Sequence, residues 1–251
     1  NRYSNQLSKN NISLQFNDPA LSTLVSTVSA QKTNNEEYAS SEWSYWTEGT
    51  FSVGSIGENN TSSFIELEST GVAFGLDKNI DSEQLYGVSF QYLQTDSDIG
   101  TKGSSVNMEN YNLTLYGTRP YRENFVEGLI GVGLIETDII RKKDSNTYDS
   151  SRSGSQLFGS FSMGKEIETK TLNLIPTGTL NLGFTQLNAF SETGSQALKF
   201  DKHNIYYKSG TFGLAFENLK KYSQSNFKPV GSIKYNFDFS NASNSKMNYL
   251  S

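Results

Sequence analysis

Few residues in this chain are placed to do bond chemistry. The only histidine, His203, stands two positions from Asp201. A His–Asp pair can relay a proton, as in an outer-membrane protease of the ten-strand type, but hydrolysis also needs further acids converging on the imidazole. Here the pair sits at the edge of a polar stretch, where an imidazole is simply solvated. There is no cysteine, so thiol catalysis and cysteine metal sites are excluded. No glycine-rich phosphate loop ending in Lys-Ser or Lys-Thr occurs, and no His/Asp cluster has ligand spacing, so neither cofactor nor metal is expected. The net charge of −5 argues against nucleic acid as a partner. The basic runs at 141–144 (RKKD) and 219–221 (LKK) read as solvated turns.

The elements that carry these residues are dominated by a two-residue alternation. It restarts in YGVSFQY (86–92), YNLTLYG (111–117), LNLGFT (180–185), TFGLAFE (211–217) and GSIKYNFDF (231–239). In a strand, period two sends alternate side chains to opposite faces. One set is apolar: Val88, Phe90 and Tyr92; Leu113 and Leu115; Val132; Leu180, Leu182 and Phe184; Phe212, Leu214 and Phe216; Ile233, Tyr235 and Phe237. No charge falls in register with these runs. The other set is small or polar: Ser89, Gln91, Asn110, Asn112, Thr114, Glu127, Asn181, Thr185, Lys234, Asn236 and Asp238.

Nine strands are expected, at about 43–56, 64–77, 84–96, 106–118, 123–137, 154–166, 171–187, 204–217 and 226–239. Most exceed both the usual soluble length of about 5–6 residues and the ~9–11 that a tilted strand needs to cross a bilayer. The longest connections (TDSDIGTKGSS, DIIRKKDSNTYDSSRS and NAFSETGSQALKFDKH) all fall on one end of an up-and-down meander. Short turns at one end and long loops at the other are the habit of outer-membrane barrels. A mean hydropathy of −0.54 does not oppose this, because such a barrel needs only every second residue apolar. Lys and Glu are also costly in a dry core but not in a wet lumen. The apolar set is therefore expected to face lipid and the polar set the lumen. No stretch approaches the ~18 apolar residues of a spanning helix.

Ahead of the strands, DPALSTLVSTVSAQK offers Asp18 as a cap and Pro19 at the first helical position. Leu21, Leu24, Val25 and Val28 follow at helical spacing, with slender Ser and Thr on the other side. A helix over about 18–32 is predicted, roughly 20 Å long.

Several segments resemble the autotransporter β-domain, the translocator of type V secretion. WSYWTEGTFSVG (43–54) is similar to that family's first strand, and GVAFGLDKNID (71–81) with YGVSFQYLQTDSD (86–98) to its second and third. ENYNLTLYGT (109–118) and FVEGLIGVGL (125–134) continue the pattern, and the slim helix matches the family's pore-threading segment. The resemblance covers about residues 18–251. It implies an all-β, antiparallel up-and-down transmembrane barrel of about 12 strands, of which 9–10 are present, with a short helix in the pore.

Residues 1–36 would then be the passenger-end linker and pore helix, and 37–251 the barrel, incomplete at its C-terminal end. The family closes on a terminal aromatic, whereas this chain ends MNYLS, which reads as the start of a tenth strand. The implied function is export or surface anchoring of an upstream passenger, without catalysis by the barrel. The implied partners are outer-membrane lipid, the attached passenger, the barrel-assembly machinery and periplasmic chaperones. Some members cut their own tether at an Asn-Asn pair activated by a lumen acid; here Asn34-Asn35 and Glu127 would fill those roles. The alternatives are an outer-membrane porin without passenger and a soluble β-structured adhesin.

Overall fold

A computed structural model describes residues 43–58, 63–80, 84–194, 196–218, 230–240 and 246–249. The predicted helix (Leu21, Leu24, Val25, Val28) and the Asn34-Asn35 pair lie outside the described residues.

Among the described residues nine long strands form a single antiparallel meander: β1 (Trp43–Ile56), β2 (Ile65–Asn79), β3 (Leu85–Ile99), β4 (Ser104–Tyr121), β5 (Asn124–Lys143), β6 (Asn146–Lys165), β8 (Leu172–Leu187), β11 (His203–Asn218) and β12 (Val230–Asp238). Each pairs with its neighbours along this order, and β1 and β12 are the two edges. Four short strands complete the set: β7 (Ile167–Glu168) beside β8, and β9 (Phe190–Ser191), β10 (Leu198–Phe200) and β13 (Met247–Tyr249) in a separate three-stranded sheet. The fold is all-β and antiparallel, as expected.

Two of the three connections expected to be long are tight. β3 and β4 are joined through 100–103 and β5 and β6 through 144–145, where Asp144 takes a left-handed φ of 57°. β5 and β6 each run 20 residues instead. The polar stretch 138–153 is strand because its backbone groups pair with each other, register Lys143↔Asn146 through Asp138↔Ser151. Alternation does not reveal it, since both of its faces are mostly polar and Ile139 and Ile140 fall on opposite ones. Only the connection 188–202 stays long, and it is folded: it contains β9 and β10. Residues 247–249, expected to begin a tenth strand of the wall, pair with β10.

The sheet curls toward one face. Neighbouring strands lie ~4.8 Å apart, so β1 and β4 would be ~14 Å apart in a flat sheet. Yet Trp46 of β1 donates its indole N–H to the Tyr116 hydroxyl of β4 at 2.7 Å, with ring centroids 6.4 Å apart. Gln156 of β6 likewise reaches Asn112 of β4 at 2.6 Å, over Gly133 of β5.

Candidate functional site

The functional surfaces are the two faces of this curled sheet. On the concave face one cross-strand row runs Trp46–Gly75–Ser89–Thr114–Gly131–Phe158–Gly183–Tyr207. Its three large rings are separated by residues with small or no side chains. A Cβ at Gly75 would lie 2.1 Å from the Trp46 ring, and one at Gly131 2.3 Å from Phe158. The glycines therefore provide the space over which the rings lie flat.

The adjoining row, Glu48–Ala73–Gln91–Asn112–Gly133–Gln156–Thr185–Ile205, is mostly polar. Further polar links cross strands. Tyr116 donates to Asp77 at 3.2 Å, Ser160 to Asn181 at 2.8 Å, Asn181 to Ser209 at 3.1 Å, and Ser162 and Thr179 are 3.0 Å apart.

The residues predicted to face the lumen share this concave face by register. Ser89, Asn110, Asn112, Thr114, Asn181 and Thr185 are buried; Gln91 and Glu127 are half-buried. Lys234, Asn236 and Asp238 lie on the edge strand β12 and are exposed. Asn110 stands between Leu93 and Ile135 in its row, and neither of its amide atoms has a hydrogen-bond partner. Glu127 lies between Thr118 and Ser162.

The reading of this face as small and polar was incomplete. Trp46, Leu93, Phe125, Leu129, Ile135, Phe158, Ile175 and Tyr207 are all buried. The paired glycines were the available signal: each lies opposite or beside a ring that period-two counting alone assigns to neither face.

The convex face carries the predicted lipid-facing set. The row Thr47–Phe74–Phe90–Leu113–Val132–Leu157–Phe184–Tyr206 spans eight strands. Phe90, Leu113, Leu115, Val132, Leu180, Leu182, Phe212, Leu214, Phe216, Ile233 and Tyr235 are exposed. Val88, Tyr92, Phe184 and Phe237 are half-buried by ring contacts and by neighbours on adjacent strands. The apolar runs carry no charge in register, but one charge stands just beyond the run 211–217 on the same face. Lys208 pairs with Leu182, is exposed, and shares the parity of Tyr206 and Phe212.

Above the apolar band the convex face turns polar at the end holding 144–145 and 188–202. On β3–β5 the rows are Gln94–Glu109–Glu136 and Asp96–Asn107–Asp138. Tyr111 donates to Glu109 at 2.7 Å across this boundary. At the same end the connection 188–202 is tied down. Arg141 donates twice to Glu192, at 2.6 and 2.5 Å, and its guanidinium covers the Tyr148 ring at 4.1 Å. Leu198 N–H adds a bond to Glu192 at 2.9 Å, and Phe190 stacks on Phe200 with centroids 4.5 Å apart. The Arg141 guanidinium holds the Glu192 carboxyl below the ordinary carboxylate range; the Leu198 N–H assists, and burial opposes.

His203, in the row after Ile205, has no cluster around it that could hold a metal among the described residues. Among the described residues no helix is long and apolar enough to cross a membrane.

A search of solved structures finds the same architecture. The translocator domain of the autotransporter NalP from Neisseria meningitidis superposes with a TM-score of 0.62 at 13% identity, over 82% of this chain and 71% of that one. The β-domain of the Bordetella autotransporter BrkA gives 0.57 at 15% identity, over 79% and 80%. At such identities these likenesses establish the fold. No curated protein matches the sequence. The family model described as the autotransporter beta-domain matches residues 45–251, nearly the whole described sheet, and the chain belongs to that family.

Proposed function

We propose that this barrel wall threads its own N-terminal segment: residues 1–36, with the helix carrying Leu21, Leu24, Val25 and Val28, are the tether and lumen plug, and 37–251 are the wall. Membership of the family makes the chain an outer-membrane translocator domain that serves a passenger. The finer assignment rests on one observation above others. The two faces of a single sheet differ in kind: one is a continuous exposed apolar surface, the other a row-by-row packing of rings over glycines with crossing polar bonds.

In this reading Phe90, Leu113, Val132, Leu157, Phe212 and Ile233 and their neighbours meet lipid tails. Burying them there recovers the ~25 cal/mol per Å² that their exposure to water forfeits. The concave side lines the lumen. Lumen residues act by contact and hydrogen bonding, and no bond chemistry is assigned to the wall. Glu127 stands on the concave face, so cleavage at Asn34-Asn35 keeps a candidate acid. An intact-mass measurement of the tether in wild type and Asn34→Ala decides it, since cleavage that depends on Asn34 leaves only the variant whole. Assembly machinery and periplasmic chaperones are the expected helpers, because a strand-rich chain with an exposed apolar face aggregates in water.

The test is a protease-sensitive reporter placed before Asn1 in the complete reading frame and expressed in a Gram-negative host. The expected result is reporter at the cell surface, shaved by external protease. A porin would leave the reporter inside, and a soluble adhesin would release residues 37–251 without detergent.

A further inference from the structure

We propose that the groove over Gly159, with Lys208 at its edge, is a binding site for a phosphate-bearing anionic lipid: an acyl chain lies in the groove and the phosphate pairs with the ammonium. This rests on the reading that the convex face meets lipid.

The groove exists because one side chain is missing from an otherwise bulky row. That row runs Tyr45–Leu76–Val88–Leu115–Ile130–Gly159–Leu182–Lys208. At Gly159 the gap opens a cleft of about 430 Å³, lined by Ile130, Leu157, Phe161, Leu182 and Phe184, with Lys208 also on its wall. A Cβ there would be tight against backbone but would meet no side chain. The nearest atom to an added Cβ is the Leu129 carbonyl oxygen at 3.2 Å, whereas a Cβ at Gly131 would meet the Phe158 ring at 2.3 Å.

Lys208 is the charge within the apolar band of β11, and its ammonium makes no salt bridge among the described residues. Its backbone is held in place: Lys208 N–H donates to the Ser240 hydroxyl at 2.8 Å, and that hydroxyl donates to the Lys208 carbonyl at 3.2 Å. The side chain lies two residues, ~7 Å along the strand, below the ring pair Phe184–Tyr206 that borders the band; beyond that pair come Gln186 and Asn204. A four-carbon stem can lift its ammonium from there to the headgroup level.

Charge elsewhere on the rim selects this sector for an anion. Over β3–β5 the border carries Asp96, Glu109, Glu136 and Asp138, which repel a phosphate; on β6 the partners of Glu136 and Asp138 are Ser153 and Ser151, and the row next to the band runs Ser155–Gln186–Asn204.

The chain has no cysteine, so single labels are clean. The reconstituted protein carries an environment-sensitive fluorophore at Leu182→Cys, or at Leu113→Cys under the acidic sector. Vesicles contain phosphatidylcholine and phosphatidylglycerol, with bromine on one or the other. The expected result at 182 is stronger quenching by brominated phosphatidylglycerol, a local excess of roughly fivefold at low salt. That excess should fall with added salt and vanish in Lys208→Met; the label at 113 should show none. Equal quenching by the two lipids at 182, or an excess that survives Lys208→Met, overturns the site. Should Lys208→Met fail to insert, the salt titration of the parent protein decides, and a salt-independent ratio overturns the site. Loss of quenching by both lipids at both positions overturns instead the lipid-facing reading beneath it.

Discussion

Along β5, Ile130, Val132 and Leu134 are 56, 53 and 62% exposed, while Phe125, Leu129 and Ile135 at alternate positions are 7, 8 and 3% exposed. The two sets are equally apolar, so hydrophobicity does not separate the faces. Their neighbours do. The outward set lies beside other large side chains, Leu113, Leu115 and Leu157, and stands clear of the wall. On the inward side Phe125 lies over Gly164, and Phe158 of the next strand lies over Gly131. The difference teaches that the two faces of this sheet are set apart by the sizes of paired residues more than by polarity.

The comparison can be broken with one charge on each face. Val132→Arg should cost about 2–4 kcal/mol in membrane folding, read by urea unfolding in vesicles, with smaller losses toward the band edges. Asn236→Arg, on the exposed edge of the concave face, should stay within about 0.5 kcal/mol. Equal penalties would mean that the faces do not see different solvents.

A glycine pair on the same strand sharpens it. Gly131→Val drives a side chain into Phe158 and should cost about 1–3 kcal/mol, with much of that recovered in the double variant with Phe158→Ala. Gly128→Val on the outward side, where the nearest atom is 3.7 Å away, should be neutral or mildly stabilising.

A smaller effect is expected at Trp46→Phe. The ring stays over Gly75 but its bond to Tyr116 is lost, at a cost of about 1 kcal/mol in the same unfolding assay. Smallest and most local is the tie at Arg141–Glu192. Glu192 has its carboxyl pKa depressed in the folded loop, so the stabilisation is present above the ordinary carboxylate pKa and is lost as pH falls through the depressed value. Hydrogen exchange at the Leu198 and Thr193 amides, corrected for intrinsic rates, should accelerate over that acid window. Glu192→Gln should show the faster exchange at neutral pH already and a flatter profile.

Much of this was legible in the residues themselves. Runs such as YNLTLYG and LNLGFT place Leu113 and Leu182 on one side and Asn112 and Asn181 on the other, because phase along a strand is a local property. Legibility failed where both faces have the same character. On 125–135 both are apolar, and the inward set was passed over. On 138–153 both are mostly polar, and strand read as loop. Lys208 was missed because it begins its run two residues ahead of a glycine, outside the clear alternation.

The nine long strands, their phase and the family thus followed from the chain alone, since each depends on neighbours a few positions away. Tertiary structure decided what depends on register between distant segments: that Trp46 meets Tyr116, that Phe158 covers Gly131, that 247–249 joins the folded 188–202 connection, and that Gly159 and Lys208 share one groove. A one-residue slip between strands would undo each of these while leaving every alternation intact.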